Sequence, residues 1–129
     1  MMRQMALLLS LAVGLAGYGQ EPADQEEKAV NAILQLGGRV TRDENLPGRP
    51  VVKVDLGLPR ITDAGLKDLK ELKGLRELWL DSTKITDAGL KELKELKELE
   101  RLELSSTKVT DAGLKELKQA LPKTQVFGP

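Results

Sequence analysis

Acidic side chains are the first candidates for chemistry in this 129-residue chain, because it contains neither histidine nor cysteine. Without those two residue types no Ser-His or Cys-His nucleophile can be assembled, nor any common transition-metal site. Asp63, Asp87 and Asp111 recur every 24 residues, each directly after a threonine, Thr62, Thr86 or Thr110. A calcium ladder would need six or more oxygens per ion, and one carboxylate per repeat falls far short. The Thr-Asp pairs read instead as N-caps and first-turn acids of three helices. Asp55, Asp81 and Glu103 form a second set. Asp55 could pair with Glu103 or Asp81, but a flat, wet surface supplies no desolvation to split two carboxyl pKa values as acid–base work requires. No Gly-rich phosphate loop is present. The expectation is a protein that is not an enzyme and carries no cofactor and no metal.

What positions these residues is a repeat. Ile61 to Lys84 reads ITDAGLKDLKELKGLRELWLDSTK, and Ile85 to Lys108 reads ITDAGLKELKELKELERLELSSTK. A third copy opens at Val109 with VTDAGLKELK, and Val51, Val54, Leu56 and Ile61 trace a degenerate copy before the clear ones. Self-similarity at a fixed period of this length marks a solenoid, in which a unit too small to bury its apolar face stacks on the next. Within a copy, Leu90, Leu93, Leu96, Leu99 and Leu102 are spaced by three. Such a stripe falls behind a 3.6-residue turn by about 60° per step and cannot stay on one face of a long α-helix. The pattern resolves if a helix opened by Thr86 and Asp87 ends near Lys97 and a strand follows, since Leu102 and Leu104 have period-two spacing.

Leu75-x-x-Leu78-x-Leu80-x-x-Thr83-x-Ile85 and Leu99-x-x-Leu102-x-Leu104-x-x-Thr107-x-Val109 resemble the leucine-rich repeat, with threonine where many members have asparagine or cysteine. The Thr-Asp-Ala-Gly-Leu opening is similar to the variant found in exported bacterial leucine-rich-repeat proteins and, at slightly longer period, in F-box-associated repeats. The resemblance covers Val51 to about Phe127, some three and a half repeats. It departs in the first copy, where Leu58-Pro59-Arg60 replaces Ser-Thr-Lys, and in the fourth, cut short after Gln125-Val126-Phe127 with Leu121-Pro122 closing the last helix. It implies an α/β fold, a short leucine-rich-repeat solenoid with parallel strands on a concave face and helices on a convex face. It also implies recognition of a protein or ligand rather than catalysis.

Alternate positions of a strand point to opposite faces. With Leu78 and Leu80 inward, Glu77, Trp79 and Asp81 face out. The 24-residue shift then stacks Lys53, Glu77, Arg101 and Gln125 in one column and Asp55, Trp79, Glu103 and Phe127 in the next. Charges alternate along the first column, so neighbours about 4.8 Å apart attract across the strands; a merely soluble sheet shows the same ladder. Trp79 and Phe127 are the aromatics of the chain apart from Tyr18. An exposed tryptophan is enriched at binding hot spots, and it can equally lie over the alkyl stems of Lys53 or Arg101. Phe127, near the chain end, has the alternative role of a cap residue. Arg60, Lys84 and Lys108 make a basic rim, which either meets an acidic partner or is a solvated edge. On the helices Lys67, Lys91 and Lys115 stand beside Asp68, Glu92 and Glu116, a pattern for charge pairing between repeats. The open face projects to only some 250 Å², against roughly 800 Å² per partner in a standard interface, so binding would also need the rim loops.

Residues 1–19 differ in kind from the rest. Arg3 is their one charge, Ala6 to Ala16 is an apolar run interrupted by Ser10 alone, and Gly17-Tyr18-Gly19 offers small residues before a cut at Gln20. This reads as a signal peptide, about half as long as a membrane span requires. Export to the periplasm, the cell surface or the outside is expected, with no stable membrane span after cleavage. Residues 20–50 read as a polar linker, an amphipathic helix carrying Ala29, Val30, Ile33 and Leu36 that stops at Gly37-Gly38, and a short strand at Arg39–Arg42. They would form an N-terminal cap on a repeat domain at residues 51–129. Twenty basic and twenty acidic residues cancel, so no global field draws in nucleic acid. The expected function is an exported module for protein-protein recognition. The alternative is a structural or self-associating cell-envelope protein, stacking weakly head to tail through its exposed repeat ends.

Overall fold

The computed structural model describes residues 22–129, so the expected signal segment at residues 1–19 lies outside the described residues. Helix α1 (Pro22–Gln35) sinks Ala29, Val30 and Ile33 into the core. It stops at Gly37, whose φ of 92° is a left-handed conformation that glycine adopts at little cost. The Gly38 N–H donates back to the Ile33 carbonyl at 2.9 Å, the long bond of a Schellman cap. Strand β1 (Arg39–Arg42) follows and turns through residues 43–50 into β2 (Val51–Asp55). Arg42 ties the three elements together. Its guanidinium donates to Glu26 at 3.1 Å and Glu27 at 2.5 Å in α1, and the other Glu26 oxygen accepts the Val51 N–H at 3.2 Å.

The sheet continues through β3 (Glu77–Trp79), β4 (Arg101–Glu103) and β5 (Gln125–Phe127), in sequence order from edge to edge. Strands β2 to β5 pair parallel, whereas β1 pairs antiparallel with β2. The sheet is therefore mixed rather than wholly parallel as expected. The reason is connection length: eight residues join β1 to β2, and a parallel crossover needs a dozen or more.

The expected helix to Lys97 also needs correction. Between β2 and β3 the chain forms a 3-10 helix, Asp63–Glu71, and between β3 and β4 it forms α2 (Asp87–Leu90) and a 3-10 turn ending at Leu93. Leucine spacing explains the choice. Leu66, Leu69, Leu72 and Leu75 are all fully buried, and a helix with three residues per turn holds every third residue in line. In the last copy Ala120 stands where that series would put leucine, and Leu121 comes next. Leu114, Leu117 and Leu121 have α-helical spacing, and this connection is the ten-residue helix α3 (Asp111–Ala120).

One hydrophobic core runs from Ala29 in α1 to Leu121 after α3. Among the leucines sits Thr83, buried, its hydroxyl donating to the Leu80 carbonyl at 2.7 Å; Thr107 repeats the bond to Leu104 at 2.8 Å. Charge pairing between repeats uses other residues than Lys67, Lys91 and Lys115. It runs from Lys73 to Glu95 at 3.7 Å and from Lys94 to Glu116 at 3.5 Å, while Lys97 donates to the Ala120 carbonyl at the end of α3. No helix among the described residues is long and apolar enough to cross a membrane.

Leu102 is fully buried at the centre of the sheet. Leu102→Ala is expected to cost about 2–5 kcal/mol by urea unfolding, and Lys115→Ala, on the exposed helix face, less than about 0.5 kcal/mol.

Candidate functional site on the open sheet face

Strand register builds the site. Lys53, Glu77, Arg101 and Gln125 lie side by side, as do Asp55, Trp79, Glu103 and Phe127, with Val54, Leu78, Leu102 and Val126 between them facing the core. The two expected columns therefore exist. Diagonal neighbours on a sheet are within reach of long side chains, and here the cations of one column lie over the rings of the other. Lys53 Nζ is 5.2 Å from the centroid of the Trp79 ring, and the Arg101 guanidinium carbon is 5.2 Å from the same ring. Arg101 also lies 4.6 Å from the Phe127 ring. The result is a stack in the order Lys53, Trp79, Arg101, Phe127, each ring contact worth about 0.5–1 kcal/mol at an exposed site.

The carboxylates are engaged in this stack rather than with one another. Glu103 accepts from Arg101 at 2.7 Å and Glu77 accepts from the Trp79 indole N–H at 3.3 Å. Asp55 accepts the Gly57 N–H at 3.0 Å and faces Arg39 at 3.8 Å. Trp79 stands between Asp55 and Glu103 in register, so these two do not form the carboxylate pair. Asp81 leaves the open face altogether, because the strand ends at Trp79. It lies in the following turn against Gly57, where a Cβ would come within 2.8 Å of its Oδ1.

The basic rim is reduced as well. Arg60 donates to the Leu36 carbonyl at 2.7 Å and so closes the end of α1, leaving Lys84 and Lys108 exposed on the rim. Trp79 is half-buried by the flanking cations, and Phe127 on the edge strand is 38% exposed. The ring lies against Lys53 and Arg101, as the second of the two readings of Trp79 has it, and remains partly exposed.

Sequence reasoning missed the partners of the aspartate series. Asp63 and Asp87 do not serve their own helices. Asp63 accepts the Thr86 N–H at 2.8 Å and the Thr86 hydroxyl at 2.6 Å, and Asp87 accepts from Thr110 in the same way at 2.8 and 2.5 Å. Each threonine hydroxyl in turn accepts at 3.3 Å from its own helix, Thr86 from the Ala88 N–H and Thr110 from the Gly113 N–H. The signal was the glycine of the motif: a Cβ on Gly89 or Gly113 would overlap the aspartate of the repeat before.

A family model of the leucine-rich repeat matches residues 97–118. Residues 97–118 are thus similar to a leucine-rich repeat. The matched residues hold β4 and most of α3, and a leucine-rich repeat points to a protein-interaction module. No curated protein matches the chain.

Arg101→Ala is expected to raise the acrylamide quenching of Trp79 fluorescence and to cost about 1 kcal/mol of stability; unchanged quenching would contradict the stack. The Thr110 hydroxyl, and after it the Thr110 N–H, hold the Asp87 carboxyl below its ordinary value. A depressed folded-state pKa contributes stability that is present above the unfolded value, about 3.9, and lost as pH falls through the folded one. The difference in urea midpoint between wild type and Asp87→Asn should therefore be fully developed above about pH 5 and shrink below about pH 4. A difference independent of pH would show that the clamp does not depend on the charge.

Proposed function

We propose that this protein is an exported recognition module, a short solenoid of Thr-Asp-Ala-Gly-Leu repeats whose open, concave sheet face binds a protein partner. The observation that carries the reading is the stack of Lys53, Trp79, Arg101 and Phe127 on that face. A large aromatic held rigid by neighbours and open above is the usual form of an interface anchor, because little side-chain entropy is lost when it is covered. The Arg101–Glu103 ion pair and the Glu77 carboxylate beside the Trp79 indole N–H put both signs of charge around the ring, which favours a partner of mixed polarity over a polyanion.

Area sets a limit on the mode of binding. Five strands at about 4.8 Å and three residues at about 3.3 Å give an open face of about 240 Å², well under the roughly 800 Å² of a standard partner surface. The partner would therefore also grip the turns at Ser82 and Ser106 and the rim lysines Lys84 and Lys108. The apolar run Ala6 to Ala16 motivates export, to the periplasm, the cell surface or the outside.

The test is capture and cross-linking from cell-envelope extracts with the full chain, followed by mass spectrometry. Trp79→Ala is expected to weaken capture at least tenfold with an unchanged circular dichroism spectrum. Undiminished capture would remove the sheet face from the proposal.

A second reading, weak self-association, draws on the edge strand β5, which pairs on one side alone. Because α1 and β1 cover the first repeat, such contacts would run through the C-terminal end of the array. A sedimentation mass that stays monomeric up to high concentration would eliminate this reading.

A further inference from the structure

Three positions of each repeat reach forward to the next unit, and their counterparts on α3 have nothing to reach. Asp63 and Asp87 hold Thr86 and Thr110 of the following opening. Leu66 lies against Gly89, where an added Cβ would meet its Cδ1 at 3.0 Å, and both Leu66 and Leu90 are buried. Lys94 pairs forward with Glu116 at 3.5 Å. Twenty-four residues on from Asp87, Leu90 and Lys94 stand Asp111, Leu114 and Lys118. Among the described residues Asp111 and Lys118 form no ion pair, and Leu114 is only half-buried. All three line one groove on the outer side of α3; spaced by three and four residues, they share one helix face. The repeat pattern itself lapses at this end, since Gly128 stands where earlier copies have Leu56, Leu80 and Leu104.

The sheet layer is open in the same direction. The Gln125 N–H donates to the Glu100 carbonyl at 2.8 Å, and the Phe127 carbonyl accepts from Leu104 at 2.7 Å. These two residues therefore turn their backbone groups toward β4, and Val126 between them presents its N–H and carbonyl at the free edge. Its side chain is half-buried, where Val54, Leu78 and Leu102 in the same row are fully buried.

We infer that a second copy of this chain covers this end, related to the first by a two-fold axis normal to the sheet. An axis through Val126 lays β5 antiparallel to its copy, and the two Val126 residues exchange both backbone hydrogen bonds as a directly opposed pair. The same rotation turns α3 antiparallel to its copy. Asp111 and Lys118 are two turns, about 10.5 Å, apart along the helix. Reversal about Leu114 and Lys115 thus sets each Asp111 against Lys118 of the other copy and Leu114 against Leu114. Charge decides for this occupant, because a face with an acid at one end and a base at the other complements itself only when reversed. A copy stacked head to tail would instead bring α1 and β1 against Asp111. The footprint is one strand, one helix and the side chains between them, short of the roughly 800 Å² of a standard interface, so the dissociation constant is about 0.1–1 mM. In the dimer the two open faces join into one surface of about 480 Å² with two Trp79 stacks. Such a dimer is a specific form of the weak self-association read above, and it does not depend on what the sheet face binds.

The experiment is sedimentation equilibrium of the full chain up to about 1 mM, with hydrogen exchange of the Val126 amide followed over the same concentrations. The mass is expected to rise toward the dimer and stop there, as a closed two-fold requires, while exchange at Val126 slows in step. Asp111→Lys or Lys118→Asp alone sets like charges together at both symmetric contacts and should weaken dimerisation by about fivefold or more. The double variant exchanges the two charges and should restore it to within about twofold, with an unchanged circular dichroism spectrum. Trp79→Ala should dimerise as the wild type does. A mass that stays monomeric would overturn the dimer and self-association together. Growth past the dimer, indifference to the charge reversals, or unslowed exchange at Val126 would overturn the two-fold arrangement and leave self-association standing.

Discussion

Leu66, Leu69, Leu72 and Leu75 must share one buried line, and that requirement shapes everything else in this protein. A single 24-residue unit offers such a line nothing to pack against, so each copy lays its leucines on those of the next. Three-residue spacing selects a 3-10 turn over an α-helix, and the narrow turn leaves the connection compact enough for three-residue strands to pair in register. Where the spacing lapses, at Ala120 and Leu121, the α-helix lengthens from the four residues of α2 to the ten of α3.

The buried and half-buried threonines inside this array are satisfied across repeats or by close backbone neighbours. Thr83 and Thr107 turn their hydroxyls onto the carbonyls of Leu80 and Leu104, which lets a small polar side chain stand in the core without an orphaned donor. Thr124 does the same toward Leu99 in the preceding repeat. On the helix side the aspartate clamps carry each repeat's register to the next. Since they join groups 23 positions apart in sequence, they contribute nothing to a unit alone and act only once two units have stacked.

The first repeat is a special case, because what precedes it is not another repeat. Helix α1 supplies the apolar cover through Ala29, Val30 and Ile33, and the antiparallel β1 supplies the edge. The Glu26, Glu27 and Arg42 cluster fastens both to β2. This solution covers the leucines but does not reproduce the clamp. On the opposite, open face the chain has made a different compromise. Trp79 is too large to bury in a row of leucines, and it is stabilised instead by Lys53 and Arg101 on either side.

The repeat, the strand columns and the inward leucines were legible in the residues themselves, because a fixed period of 24 and an alternation of two translate directly into which side chains share a face. The stop of α1 at Gly37 was legible for a similar reason, as only local backbone conformation is involved. Tertiary structure alone decided the rest. Nothing local distinguishes an aspartate that serves its own helix from one that reaches the next, and Asp63 and Asp87 reach the next because the stacking distance brings Thr86 and Thr110 to them. Arg60 looked like a member of a basic rim until α1 placed a free carbonyl at Leu36 within its reach. The sequence by itself determined which side chains are buried, through its periods; tertiary structure decided which polar groups meet, since that depends on distances between units that no period encodes.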